Sequence, residues 1–139
     1  IIEKDKRFLE ILEELDYQEI FFEDALEIDL NNQIFSKSKC IKNYWFVSNL
    51  PYNVGTPIML KFLKHPEITH CTLMFQKEVA DRIVAKMDSS KYGRLTILNY
   101  WKMNAIKIMD IEPGNFYPKP KVKSSLIYFE PKNNIFNFI

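Results

Sequence analysis

Glycine is scarce: Gly55, Gly93 and Gly114 are the only three in 139 residues, and none lies in a glycine-rich loop. Cysteine is rarer still. Cys40 and Cys71 lie far apart with no C-x-x-C spacing, which favours a reduced cytoplasmic pair over a disulfide framework or thiolate metal site. The two histidines, His65 and His70, flank Pro66 in an apparent loop without an acidic or thiol partner at ligand spacing, so they read as surface residues and no metal is expected. Long hydrophobic runs are missing too. Stretches such as Ile58-Met-Leu60 are broken by Lys within a few residues, and no membrane-spanning helix is expected. Charge of one sign is not in excess: the net +1 offers no global attraction for nucleic acid. Lysines do cluster around Lys37, Lys39 and Lys42, around Lys86, Lys91 and Arg94, and at Lys119, Lys121 and Lys123. Such clusters are more often solvated faces than phosphate contacts.

What remains is an ordinary globular composition. With 47% hydrophobic and 14% aromatic residues, the chain has material for one domain with its own core. It begins at Ile1 and not Met, and no secretory signal is visible.

One stretch organises the rest, Tyr44-Trp-Phe-Val-Ser-Asn-Leu-Pro-Tyr52. Strand-type residues run into a proline turn, and Asn53-Val-Gly-Thr-Pro57 then opens a helix expected from about Thr56 to Lys64. That pattern predicts a buried strand delivering polar groups at its carboxyl end, where open α/β sheets place ligands. Before it, Ile1-Ile-Glu3 and Gln18 to Phe22 read as short strands, Asp5 as the cap of a helix from Lys6 to Leu15, and Asn31 to Asn43 as irregular. After it come a strand at Cys71 to Phe75, helices through Lys86 and from Tyr92 to about Trp101, and strands at Ala105 to Ile111 and Val122 to Phe129. Alternating strands and helices predict an α/β, doubly wound, mostly parallel sheet. The last two strands have only a proline-rich loop between them, too short for a parallel crossover, which predicts an antiparallel hairpin at one edge.

Several residues are placed to do chemistry. Glu3 ends the first strand, where a carboxylate can accept hydrogen bonds from ribose hydroxyls, or can simply open the next helix. Asp24 stands in the same relation to the second strand, or is a turn residue. An adenine N6 amine is a weak nucleophile because its lone pair is delocalised into the ring. Two acceptors off the ring plane favour its pyramidal, attacking form, and the Asn49 side-chain oxygen and Leu50 carbonyl are candidates. Pro51 forces Leu50 extended, and Tyr52 offers a ring face for an extruded base. The alternative is a plain strand-terminating turn. Phe116-Tyr-Pro-Lys-Pro-Lys-Val-Lys-Ser124 interleaves lysines with a proline-stiffened aromatic loop, suited to phosphate contact and stacking or to packing Phe116 on the sheet. Glu78 and Arg82 form a helical i,i+4 pair, and Gly93 marks a turn between helices.

Together these segments resemble the ribosomal RNA small-subunit adenine N6,N6-dimethyltransferase family. The resemblance is carried by Glu23-Asp-Ala-Leu26, Asn49-Leu-Pro-Tyr-Asn53 with Thr56-Pro57, and Met74-Phe-Gln-Lys-Glu-Val-Ala80 with Arg82 and Ala85-Lys86. It continues through Tyr92-Gly-Arg-Leu-Thr96 and Phe116-Tyr-Pro-Lys-Pro-Lys-Val-Lys-Ser-Ser125, and spans about Glu3 to Pro131. It implies a Rossmann-like class I methyltransferase using S-adenosyl-L-methionine to dimethylate two adjacent adenosines in a hairpin loop near the 3′ end of small-subunit rRNA. It implies a cytoplasmic, monomeric enzyme acting on a pre-30S-type particle. By resemblance, Glu3 holds the cofactor ribose, and Asp24 with the Ala25 amide holds its adenine. Asn49 touches both cofactor and target N6. Leu50 and Pro51 complete the acceptor turn, while Tyr52 and Phe116 stack on the base. Related readings are a large-subunit rRNA methyltransferase of the macrolide-resistance type and a non-catalytic RNA-binding assembly or transcription factor.

The family opens with a strand and glycine-rich loop and closes with a helical domain. Residues 1–132 are therefore expected to be a partial catalytic domain, and 133–139 the start of a linker. On this reading, residues 1–139 alone bind S-adenosylmethionine weakly or not at all. Titration calorimetry checks this, and micromolar binding contradicts it.

Overall fold

The run of strand-type residues along Tyr44–Asn49 forms the expected strand β1, but the strand is not buried as expected: alternate side chains are only partly covered, and Trp45 and Val47 are exposed. The computed structural model describes residues 1–15, 19–37 and 43–132, which fall into two units, Ile1–Lys42 and Asn43–Ile139.

The second unit holds a four-stranded sheet in the order β1-β2-β4-β3, with β2 at Ile68–Gln76, β3 at Met103–Ile111 and β4 at Ser124–Pro131. Strands β1 and β2 are parallel, joined by α2 (Gly55–Phe62). The expected terminal hairpin is present: β3 and β4 pair antiparallel at one edge. β4 also pairs antiparallel with β2, which puts the last strand inside the sheet.

One face of the sheet carries the core. Cys71, Leu73 and Phe75 alternate on β2, opposite Phe129, Ile127 and Ser125 of β4, and all are buried. Fully burying Ile127 or Phe129 is worth about 1.5–3 kcal/mol each. Phe46 of β1 stacks on Phe62 of α2 with ring centroids 4.1 Å apart. Helix α3 (Lys77–Ile83) buries Ala80 and Ile83 and packs against β2 and β4, and α4 (Arg94–Lys102) packs on β3 and α3. Thr96 explains why Tyr92 to Thr96 is specified: fully buried, its hydroxyl donates to the Arg82 carbonyl at 2.6 Å and accepts from the Gly93 amide at 3.2 Å. That bond ties the start of α4 to the end of α3. Burial pushes the Cys71 thiol up to about 12, consistent with an inert core thiol. Cys40 lies outside the described residues.

His70 departs from expectation. It belongs to β2, not to a loop, and is half-buried with its ring 5.8 Å from Trp45 and 6.1 Å from Tyr128. The strand begins at Ile68, three residues earlier than the apolar run from Cys71 suggests, because backbone pairing with β1 carries it past the polar Thr69 and His70. Among the described residues no group of His, Cys, Asp or Glu could hold a metal ion, and no helix is long and apolar enough to cross a membrane.

In the first unit the two expected strands shrink to one parallel bridge between Ile2 and Phe21. The Phe21 amide donates to the Ile1 carbonyl at 2.8 Å, and the Glu3 amide to the Phe21 carbonyl at 3.0 Å. Asp5 caps as expected, accepting from the Arg7 amide at 3.0 Å. The helix it starts is a 3-10 turn at Lys6–Phe8 followed by a short α1 at Leu9–Glu13. Its apolar stripe is not buried: Phe8, Leu9, Ile11 and Leu15 are all exposed. Asn31–Phe35, expected to be irregular, forms one wide helical turn, its entry fixed by Asp29 accepting from Asn32. Among the described residues of this unit, Ile28 and Leu30 are buried. Gln18 and the segments 38–42 and 133–139 lie outside the described residues.

A single carboxylate locks the helical layer of the second unit to the sheet. Asp81 on α3 is approached by Lys91 at 2.6 Å, Lys77 at 2.9 Å and Lys107 of β3 at 2.9 Å. Burial alone pushes its carboxyl up, but hydrogen bonds from the three lysines outweigh that and hold it well below the ordinary carboxylate range. A depressed folded value gives stability that is present above the unfolded value of roughly 4 and lost as pH falls below it. Asp81→Asn should therefore cost on the order of 1–2 kcal/mol at neutral pH, discounted because the lysines stay partly solvated. It should also flatten the loss of stability below about pH 4, as followed by thermal unfolding across that range.

Candidate functional site

Strand β1 ends at Asn49 because Pro51 has no amide proton and keeps Leu50 out of the helical region. The Pro51 carbonyl then accepts from the Val54 amide at 3.1 Å, closing the turn that starts α2 at Gly55. Glycine is needed there for proximity: a Cβ at Gly55 would sit 3.2 Å from the Leu50 Cβ and 3.6 Å from the Phe75 ring. Leu50 is thus buried beneath the turn, and Asn49 and Pro51 are exposed on either side of it.

The opposite wall comes from the loop joining β3 to β4. Pro113–Asn115 makes a 3-10 turn, Phe116 is half-buried, Tyr117 is fully exposed and the Tyr117-Pro118 bond is cis. The two walls enclose an open cleft of about 310 Å³ lined by Asn49, Leu50, Pro51, Tyr52, Phe116, Tyr117, Pro118 and Pro120. The five residues singled out in this part of the sequence therefore share one cleft. Tyr52 is anchored across it, its Oη lying 2.5 Å from Ser124 Oγ at the start of β4.

The lysines of the same loop do not line this cleft. Lys121 and Lys123 line another of about 550 Å³, together with Lys77, Asp81, Lys91 and Glu112. Lys123 is paired there with Glu112 at 2.5 Å. The loop thus presents Phe116 and Tyr117 to the first cleft and Lys121 and Lys123 to the second. Tyr117, Pro118, Pro120 and Ser124 were not singled out individually. The first three sit beside Phe116 in its motif, but only the fold reveals the contact of Ser124.

Glu3, Asp24 and Ala25 belong to the first unit. Glu3 and Asp24 follow the bridged Ile2 and Phe21. A Glu3 carboxylate oxygen accepts from the Asp5 amide at 2.7 Å, so the helix-entry role is realised. Asp24 accepts from the Leu26 amide at 2.9 Å and pairs with Lys4 at 2.7 Å, closing the turn that contains Ala25. A carboxylate has about four lone-pair sites, so these bonds leave Glu3 able to accept more.

A family model described as ribosomal RNA adenine dimethylase matches residues 1–137. The chain belongs to that family. It is 42% identical to the ribosomal RNA small subunit methyltransferase A of Brucella melitensis, covering 94% of this chain and 49% of that protein. It is 50% identical to the Pelagibacter ubique protein of the same name over 92 residues, 63% of this chain and 35% of that one. The chain thus spans about half or less of these relatives' length. Among solved structures, a dimethyladenosine transferase from Plasmodium falciparum superposes with a TM-score of 0.77 at 28% identity, over 99% of this chain and 49% of that one. The 23S rRNA methyltransferase ErmE gives 0.77 at 21% identity over 99% and 54%, a likeness of fold alone. The Rossmann-like α/β fold of this dimethylase-family chain accords with both.

The close approach under the dimethylase turn has a direct consequence. Gly55→Val should overpack Leu50 and Phe75 and lower stability by about 1–3 kcal/mol, as urea denaturation would measure.

Proposed function

We propose that the chain is part of the catalytic domain of an S-adenosylmethionine-dependent rRNA adenine N6,N6-dimethyltransferase. Its substrate is two adjacent adenosines in a hairpin loop near the 3′ end of small-subunit rRNA, met in a pre-30S-type particle by a monomeric, cytoplasmic enzyme. The observation that carries this reading is the shared cleft of Asn49, Leu50, Pro51, Tyr52 and Phe116. The names of the relatives from Brucella melitensis and Pelagibacter ubique favour the small subunit over the large.

In this reading the cleft receives one extruded adenine, with Tyr52 and Phe116 supplying stacking faces worth about 1–3 kcal/mol per base. The Asn49 side-chain oxygen and the Leu50 carbonyl accept the two N6 hydrogens. As the lone pair leaves the ring system and the nitrogen becomes pyramidal and positive, both hydrogen bonds strengthen. The acceptors therefore stabilise the transition state more than the bound base. When bound, S-adenosylmethionine supplies an electrophilic methyl group on a positively charged sulfur. Glu3 would hold its ribose hydroxyls, and Asp24 with the Ala25 amide its adenine. The chemistry of Glu3 fits, since a carboxylate with acceptor capacity to spare suits ribose hydroxyl hydrogens.

Asn49 is exposed at the end of β1, so removing its amide should spare the fold. With the chain expressed together with the coding sequence that flanks it, Asn49→Ala should cut kcat for transfer to small-subunit rRNA by about 100-fold or more, with an unchanged melting temperature. Near-normal turnover would remove Asn49 from the role given to it.

A further inference from the structure

Tyr52 and Ser124 are 72 positions apart in sequence, yet their hydroxyl oxygens are 2.5 Å apart. We propose that Ser124 is a positioning residue that sets the orientation of the Tyr52 ring relative to Phe116. The inference rests on reading the cleft as the target-base site.

Ser124 is suited to this because it cannot itself move. It is fully buried and, as the first residue of β4, is paired with Gln76 of β2 on one side and Ile111 of β3 on the other. Just before it, the Lys123 carbonyl accepts from the Lys77 amide at 2.9 Å. Ser125, also fully buried, donates to Asp110 Oδ1 at 2.6 Å, so the next side chain is tied as well.

The Tyr52 ring, by contrast, stands in a turn and is only half-buried. Packing on one side leaves its side-chain torsions free to swing, and a bond from its outer end to a fixed point removes that freedom. The same fixed point belongs to the other wall. The loop bearing Phe116 leaves β3 at Ile111 and enters β4 at Ser124, and those two residues are paired. Ser124 therefore holds the Tyr52 ring at the point where the loop bearing Phe116 enters the sheet. A buried hydroxyl also needs a partner, so a Ser with no such task is less favourable here than Ala.

The test uses the protein expressed with the sequence flanking residues 1–139 in its gene. It follows transfer of labelled methyl from S-adenosylmethionine to small-subunit particles lacking the modification. Ser124→Ala and Tyr52→Phe each remove one hydroxyl and keep the rest of the side chain. Each should lower kcat about tenfold while leaving the cofactor KM within about twofold, and the double variant should be no worse than either single one. Ser125→Ala, which removes a buried hydroxyl at the neighbouring position, should lower the melting temperature without lowering kcat. Losses that add in the double variant overturn the positioning role, as does wild-type kcat in Ser124→Ala or an equal fall in Ser125→Ala. These outcomes leave the target-base reading standing. No transfer by the unsubstituted protein overturns that reading, and this inference with it. If Ser124→Ala does not fold, Tyr52→Phe decides: reduced kcat with intact cofactor binding supports the role, and unchanged kcat overturns it.

Discussion

The second unit depends on the double pairing of β2, parallel to β1 on one side and antiparallel to β4 on the other. Opposite directions on its two flanks bring the end of β1 and the beginning of β4 to the same end of the sheet. Asn49 lies opposite Met74, Met74 opposite Leu126, and Gln76 opposite Ser124. The antiparallel β3 then finishes beside Ser124, so the loop carrying Phe116 rises from the same end. The cleft follows from strand direction before any side chain is considered.

Apolar packing makes the sheet stable, but polar ties give the surrounding pieces their places. Each of these ties joins elements that the core alone would leave adjustable. Asp81 holds α3, β3 and the segment before α4 through three lysines. Thr96 fixes the start of α4 to the end of α3. Ser124 fixes the turn after β1 to β4. Hydrogen bonds to buried or charged partners are directional, so they define a geometry that hydrophobic burial, being non-directional, leaves open.

What could be read from the sequence was what local physics decides. The run from Tyr44 to Tyr52 announced a strand, a proline stop and a helix, because strand preference and missing amide protons act within a few residues. Asp5 and the Glu78–Arg82 pair were legible for the same reason. The terminal hairpin followed from loop length. The cleft's composition was legible through resemblance, which named Asn49, Tyr52 and Phe116 together. Contacts set by the path of the chain were not legible. Lys107 reaches Asp81 from 26 positions away, and Tyr52 meets Ser124 across 72. His70 was misjudged because its strand status is conferred by its neighbours in the sheet, not by its own preference. The first unit was over-read for a related reason. Strand-like and helical periodicities there were genuine, but the described residues realise only one bridge and an exposed α1.

The insertion of β4 between β2 and β3 has a consequence for biosynthesis. The last of the described strands occupies an interior lane, so during translation the facing edges of β2 and β3 remain open until residues 124–131 have left the ribosome. Until then their unpaired amides and carbonyls can template wrong partners, including other nascent chains. Closing the sheet is a late, long-range event, and a stop codon shortly before Ser124 would remove its middle and not its rim.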